Sequence, residues 1–299
     1  MDYETLDAVF ASEGVTQYAA IPFSACRVTL PRLLERDPGF TPRTVLLYLV
    51  PYYAGPTENL SLYAASRDYH LFFKSFGEKL IGYLKRVFPD GGFRSYGDHS
   101  PISETDAAAK AGLGVIGRNG LLINSVYASL VFIGDVVTDV PPEDFPACQP
   151  PQAVSYCENC GACAAACPTG ILAGKGVLCL SAVTQKKGEL TPEEKDLILA
   201  NGSAWGCDLC QLSCPHVRRA IRSGAALTPI DFFKTDRTPR LTYDQIANMP
   251  DPVFQTRAYA WRGRKTLLRN LALLEGRDEG DEGTRAFLKE SAAKNFNRD

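Results

Sequence analysis

The stretch CENCGACAAACP, Cys157–Pro168, decides how the rest of the chain is read. Its four cysteines follow C-x2-C-x2-C-x3-C and the last precedes a proline, the spacing found in bacterial two-cluster ferredoxins. Gaps of two residues let three thiolates converge on one face of a tight loop and hold three corners of a cubane. The fourth cysteine begins a helix that points away, and in two-cluster ferredoxins it ligates the other cluster. Small residues between the ligands (Gly161, Ala162, Ala164, Ala165, Ala166) let the backbone approach the sulfides and donate N–H bonds to them.

A shorter echo, CDLCQLSCP, supplies Cys207, Cys210 and Cys214-Pro215, one cysteine short of the full pattern. Cys179, between the two runs, completes the count. If each Cys-Pro ligand crosses over, the first cluster takes Cys157, Cys160, Cys163 and Cys214, and the second takes Cys167, Cys179, Cys207 and Cys210. A zinc ribbon would need only four ligands from two C-x2-C pairs. Eight cysteines with two Cys-Pro endings fit two [4Fe–4S] clusters better than zinc or buried structural thiols. Two clusters in one domain form an electron wire. The remaining cysteines, Cys26 and Cys148, lie in no motif and read as packing residues.

Composition narrows the class. Ten cysteines would suggest disulfides in a small secreted domain, but 299 residues are enough for two domains. The opening MDYETLDAVFASEGV is acidic and lacks the basic-then-apolar layout of a signal peptide. No apolar run approaches the roughly 18 residues of a membrane span. A cytoplasmic protein without a membrane partner is the expectation. A net charge of −2 supplies no global field to draw the chain to nucleic acid or anionic lipid.

A two-cluster ferredoxin needs only about 60 residues, so the segment before Cys157 requires its own purpose. TVLLYLVPYY, Thr44–Tyr53, reads as a buried strand ended by a Gly-Pro turn. From Asn59 the pattern turns helical, with Phe72, Phe76, Leu80, Leu84 and Phe88 forming an apolar stripe. SETDAAAKA reads as a second helix, with Ser103 and Asp106 in an N-capping arrangement. LLIN and SLVFIGDVVTDV read as strands. The alternation makes this half α/β in a chain of α+β or α/β class. Three parts are expected: an α/β domain over 1–145, a ferredoxin-like double-cluster domain over 146–225, and a helical segment over 226–299. Gly112, Gly114 and Gly117 spell G-x-G-x-x-G, but a helix leads in and an apolar run follows, the reverse of a dinucleotide site. They mark a backbone that turns sharply or lies close to something large. Asp98-His99 before Ser100-Pro101 reads, taken alone, as an Asx-type turn. The histidines, His70, His99 and His216, are too dispersed to propose a metal site.

Taken in order, LSLYAASRDYH, GDHSPISETDAAAKAGLGVIGRNGLLI, FIGDVVTD, the two cysteine runs and WRGRKTLLRN resemble the epoxyqueuosine reductase family. The resemblance implies an N-terminal cobalamin-binding domain beside a double-cluster domain, and reduction of epoxyqueuosine in tRNA. It implies electrons passing through the clusters to cobalamin from a flavodoxin- or ferredoxin-type donor. Asp98, in DHSP, matches the family's D-[ST]-x-P proton donor; a desolvated aspartate could hold that proton at neutral pH. His70, His99, Ser100, Gly112, Gly114, Gly117, Arg118 and Asn119 become candidate cofactor contacts, the glycine loop lying against the corrin. Asp68-x-His70 is similar to the start of a cobalamin-ligating motif, but Phe73 stands where glycine belongs, so His70 is not read as an axial ligand. Val115 and Arg118 depart from the family's Trp and Lys, and His99 from its Ser or Thr. The helical segment is shorter than the family's HEAT-like region. Basic residues gather before the tail (Arg218, Arg219, Arg222, Arg257, Arg262, Arg264, Lys265 and Arg269), either to track phosphates or as a solvated face. Two other readings stay open: an electron-transfer protein without cobalamin, and a corrinoid-handling or reactivating protein.

Overall fold

The computed structural model describes residues 5–145 and 157–277. Cys148 and the charged tail beyond residue 277 lie outside them. Two compact units are each assembled from separated stretches. Of the described residues, the first holds 5–55, 69–145, 157–166 and 209–236, and the second holds 56–68, 167–208 and 237–277.

The first unit is built on a four-stranded sheet. Its strands are β1 (Tyr18–Pro22), β2 (Thr44–Pro51), β3 (Phe93–Gly97) and, after the short pair β4 (Val115–Ile116) and β5 (Leu122–Ile123), β6 (Val131–Thr138). The order is β1-β2-β6-β3 and every pairing is antiparallel. This unit is therefore α+β, within the class expected for the chain but not the α/β read for this half, because strand–helix alternation does not fix strand direction. Every residue of β2 is buried, as a continuous apolar run requires when both faces are covered.

Helix α1 (Leu6–Ala11) and helix α2 (Tyr69–Val87) belong to one face. The stripe Phe72, Phe76, Leu80 and Leu84 is buried, with Phe76 edge-on to Tyr48 of β2. Gly134 of β6 and Gly97 of β3 stand opposite each other in the ladder. A Cβ on Gly97 would lie 2.5 Å from the Phe73 ring, and one on Gly134 would collide with Tyr48 and Phe73. The paired glycines thus admit these rings. The helix begins at Tyr69 rather than Asn59, because residues 56–68 belong to the second unit and contain only the 3-10 turn Leu62–Ala64.

Helix α3 (Glu104–Lys110) covers the other face, where Ala107, Ala108 and Ala111 pack against Ile21, Val45, Leu47, Leu49 and Val137. Alanines let the helix lie close to the strands. Ser103 is the N-cap residue but makes no capping bond; its hydroxyl accepts from Arg27 at 3.0 Å, while Asp106 pairs with Lys110 at 3.0 Å. Residues 209–236 return to this unit. Gln211 accepts from Tyr52 and Ser129 hydroxyls at 3.3 and 3.0 Å, the Thr228 hydroxyl donates to the Pro51 carbonyl at 2.6 Å, and Phe233 packs on Phe72 and Phe132.

The second unit is helical. Leu180, Val183, Leu190 and Ile198 form one of its buried clusters. Fully buried Asn270 donates to the carbonyls of Thr184 and Ala204 at 2.7 and 2.9 Å, tying the helix Arg264–Leu274 to the cysteine-bearing segment. Asp208 accepts from the Ser61 hydroxyl and the Leu62 N–H, both at 2.7 Å. No helix among the described residues is long and apolar enough to cross a membrane.

Candidate functional site: a four-cysteine cavity and a carboxylate turn

Four thiols of the first unit stand around one cavity: Cys157, Cys160, Cys163 and Cys214. The loop that presents the first three turns through left-handed conformations at Asn159 (φ 51°) and Gly161 (φ 78°) and runs into helix α4 (Ala162–Ala165). Such turns wind the backbone tightly enough to bring cysteines three apart to one side. Cys214 arrives from elsewhere in the sequence, as the N-cap of the helix Pro215–Ser223. The positive end of that helix faces the cysteine, which favours an anionic group there. Among the described residues no three His, Cys, Asp or Glu side chains converge on a single metal ion. A cubane makes no such demand, because it offers one iron to each thiolate. The donor set, four soft thiolates around a shared cavity, suits a [4Fe–4S] cluster.

The remaining candidate ligands divide between the units: Cys167, Cys179 and Cys207 in the second, and Cys210 in the first, on the helix Leu209–Leu212. Burial raises the Cys167 thiol, but hydrogen bonds from the backbone of Leu172, Thr169 and Ile171 and the Thr169 hydroxyl outweigh it and lower the pKa overall. N–H groups directed at a sulfur favour the thiolate, the form that ligates iron. Cys179 is exposed and N-caps the helix Leu180–Thr184. Cys207 follows Gly206, which is left-handed (φ 74°) and leaves no room for a Cβ beside Ser61.

The glycine loop has a local explanation. Gly112 is left-handed at φ 78°, at the exit from α3. A Cβ on Gly114 would lie 2.6 Å from the Ile123 carbonyl oxygen, and one on Gly117 would meet Ile123 and Asn119 at 2.7 and 2.8 Å. The close neighbour is thus the loop's own β4–β5 hairpin. Its tip places Arg118 and Asn119 on the wall of the four-cysteine cavity, alongside His216.

Asp98 sits where β3 gives way to α3, and its backbone is left-handed at φ 71°. Its carboxylate accepts from the Tyr69 hydroxyl at 2.5 Å, and His70 Nε2 stands 3.9 Å away. Tyr69 is held between His70 and Phe132, both rings stacked on it at 4.3 Å. The Asp98 side chain is 62% exposed, so this is not the desolvated aspartate expected from sequence. Among the described residues, burial pushes up two carboxyls to which the sequence reading gave no role, Glu104 and Asp135. Glu104 Oε1 accepts the Asp98 N–H at 3.0 Å. Burial and the nearby Asp98 charge push Glu104 up to about 7, against the hydrogen bond from the Asp98 backbone. Asp135, on β6, is completely buried and is pushed well above the usual carboxylate range by burial and by Glu104. The one sequence signal for it was a lone charge in an otherwise apolar strand. His99 is exposed and Ser100 buried.

The basic residues near the C-terminal end are largely engaged in packing. Arg257 is buried, Arg264 pairs with Asp251 at 2.8 Å, and Arg269 donates to the carbonyls of Lys186 and Gly188.

Residues 156–217 match the family described as a 4Fe-4S double cluster binding domain. Over 202 residues, 66% of its length, the chain is 35% identical to the epoxyqueuosine reductase of Gloeobacter violaceus, and over 217 residues, 70% of its length, 31% identical to that of Listeria monocytogenes. It spans 61% and 55% of those two proteins. Its fold is that of the epoxyqueuosine reductase from Streptococcus thermophilus, with a TM-score of 0.71 at 24% identity over 96% of this chain and 84% of the other. An epoxyqueuosine reductase solved with a modified tRNA-Tyr stem loop also gives 0.71, at 22% identity over 94% and 82%.

Proposed function

The chain is a relative of the epoxyqueuosine reductases, and from that premise we propose that it is an iron–sulfur- and cobalamin-dependent reductase acting on epoxyqueuosine in tRNA. The observation that carries the reading is the placement of Arg118 and Asn119. They belong to the glycine hairpin of the sheet unit and also line the cavity of the first cluster's four cysteines. The cluster thereby adjoins the substrate domain, as an electron route into that domain requires. Cys167, Cys179, Cys207 and Cys210 are assigned to the second cluster, which receives electrons from a flavodoxin- or ferredoxin-type donor.

An epoxide becomes an alkene and water by taking up two electrons and two protons. Cobalamin, when bound, supplies a strongly reducing metal centre for the two electrons. The chain's own part is to seat the corrin and to move protons. Ile116 and Leu121, exposed on the two arms of the hairpin, offer apolar surface to a macrocycle. Gly112, Gly114 and Gly117 hold the hairpin, while His70, His99 and Ser100 flank the acid and contribute to the same binding region. Asp98 is the proton donor to the leaving oxygen, its carboxyl oriented by the Tyr69 hydroxyl.

The test is anaerobic reconstitution with iron, sulfide and cob(II)alamin, followed by metal analysis and turnover of an epoxyqueuosine-containing stem loop. About eight irons and one cobalt per chain are expected. Asp98→Asn should keep both cofactors and lose turnover by roughly a hundredfold or more. Full iron without cobalt would overturn the cobalamin assignment in favour of electron transfer alone. An active Asp98→Asn variant would refute the acid assignment.

A further inference from the structure

Two protons are consumed per turnover, and Asp98 is the proposed donor of one. The interior beneath it holds two further carboxyls. Asp135 lies in β6 opposite Leu47 of β2 and Tyr96 of β3, its side chain on the face covered by α3. It has no exposure to solvent, and neither of its carboxylate oxygens has a hydrogen-bond partner. Buried Ser100 offers its hydroxyl toward Asp135 without closing a hydrogen bond. A structural carboxylate in a sheet interior is ordinarily matched by a cation or by N–H donors. This one faces another acid, Glu104, at the start of α3.

The other titratable groups in this region do not supply the missing charge. Asp98 stands over Glu104 from the β3–α3 turn, and Tyr96 faces Asp135 from β3. Cys26, in the turn after β1, has its thiol pushed up to about 12 by burial, with the Asp135 charge adding to the effect. On α3 itself, Lys110 is paired with Asp106 and donates to the Ala25 carbonyl at 2.9 Å. A carboxyl with acidic neighbours and no partner is stable only if it keeps a proton.

We propose that Glu104 and Asp135 form an internal proton store behind Asp98, which supplies the second proton of each turnover. The proposal rests on the reading of Asp98 as the acid. Asp98 gives its proton to the epoxide oxygen as the first C–O bond breaks. Glu104, whose carboxyl touches the Asp98 backbone, then reprotonates Asp98. That second proton leaves with the oxygen as water when the other C–O bond breaks and the double bond forms. The two electrons come from the external low-potential donor, and bulk water refills the pair after product leaves.

Infrared difference spectroscopy of the full chain, titrated between about pH 6 and pH 8 without substrate, reads protonated carboxyls directly. The wild type should show such a band fading across this range, and Glu104→Gln should lack it. The glutamine keeps an acceptor for the Asp98 N–H, so the turn is preserved. A second band that persists through the range should vanish in Asp135→Asn. In turnover, Glu104→Gln should fall below wild type by roughly tenfold at the acid end of the profile, where Glu104 holds its proton, and approach wild type at the alkaline end, where wild-type Glu104 is itself ionised. A wild type without a protonated-carboxyl band near neutrality overturns the store. Unchanged turnover and pH profile in Glu104→Gln overturn its role while leaving the proposed function standing. Absence of wild-type turnover removes the supply role together with that function, whereas the infrared titration still decides whether the carboxyls hold protons.

Discussion

Replacing Glu104 by glutamine should make the sheet unit more stable at alkaline pH and leave it unchanged at acid pH. A free glutamate ionises at 4.5, whereas burial and Asp98 hold Glu104 at about 7. The folded state therefore keeps a proton that the unfolded chain has already released. Wild-type stability is fully present below about 4.5 and declines as pH rises toward about 7, where the folded side chain ionises too. The total loss across that window is roughly 3 kcal/mol. Glutamine carries no such titration and still accepts the Asp98 N–H. The variant should therefore match the wild type near pH 4 and exceed it by up to about 3 kcal/mol near pH 8. In thermal unfolding this is a gain of roughly 6–12 °C. Urea unfolding of the two proteins at a series of pH values, followed by circular dichroism, measures the difference directly. A stability gap that stays constant with pH would refute the account, because a lost contact carries no proton linkage.

The crossed ligation separates two cysteines that lie four positions apart. Cys214→Ala should abolish the cluster held by Cys157, Cys160 and Cys163, Cys210→Ala should abolish the other, and each should lower iron from about eight to about four per chain. Combining Cys214→Ala with Cys160→Ala should cost no more iron than either alone, and loss of both clusters in that double variant would break the assignment. Gly114→Ala drives a Cβ to 2.6 Å from the Ile123 carbonyl oxygen and should destabilise the hairpin by about 1–3 kcal/mol. Unfolding curves identical to wild type would show that the hairpin yields at no cost.

Much of the site was legible along the chain. Ligand spacing is a local property, so the cysteine runs could be read as two clusters before any fold was known. The stripe Phe72, Phe76, Leu80 and Leu84 gave away its helix for the same reason, since a four-residue repeat needs only local geometry. Its start could not be placed, because the helical pattern extends back through a segment, residues 56–68, that packs into the second unit. The order read around Gly112, a helix leading in and an apolar strand following, is the order the structure has. What Gly114 accommodates is the carbonyl of Ile123, and what Gly117 accommodates is the Ile123 side chain, contacts that exist only once β4 and β5 pair.

The sequence by itself determined the cluster chemistry, the mixed class of the fold and the turn that carries Asp98, because spacing, periodicity and turn chemistry act over a few residues. Tertiary structure decided the rest. Cys214 reaches the cavity of the first three cysteines only because Gln211, Thr228 and Phe233 anchor residues 209–236 to the sheet unit. Arg118 and Asn119 reach it through the hairpin. Asp135 differs from a surface carboxylate only through the layers that close over it, and Glu104 only through burial beside Asp98. Burial and charge proximity are sums over residues distant in sequence, and the chain acquires them only when the sheet is assembled.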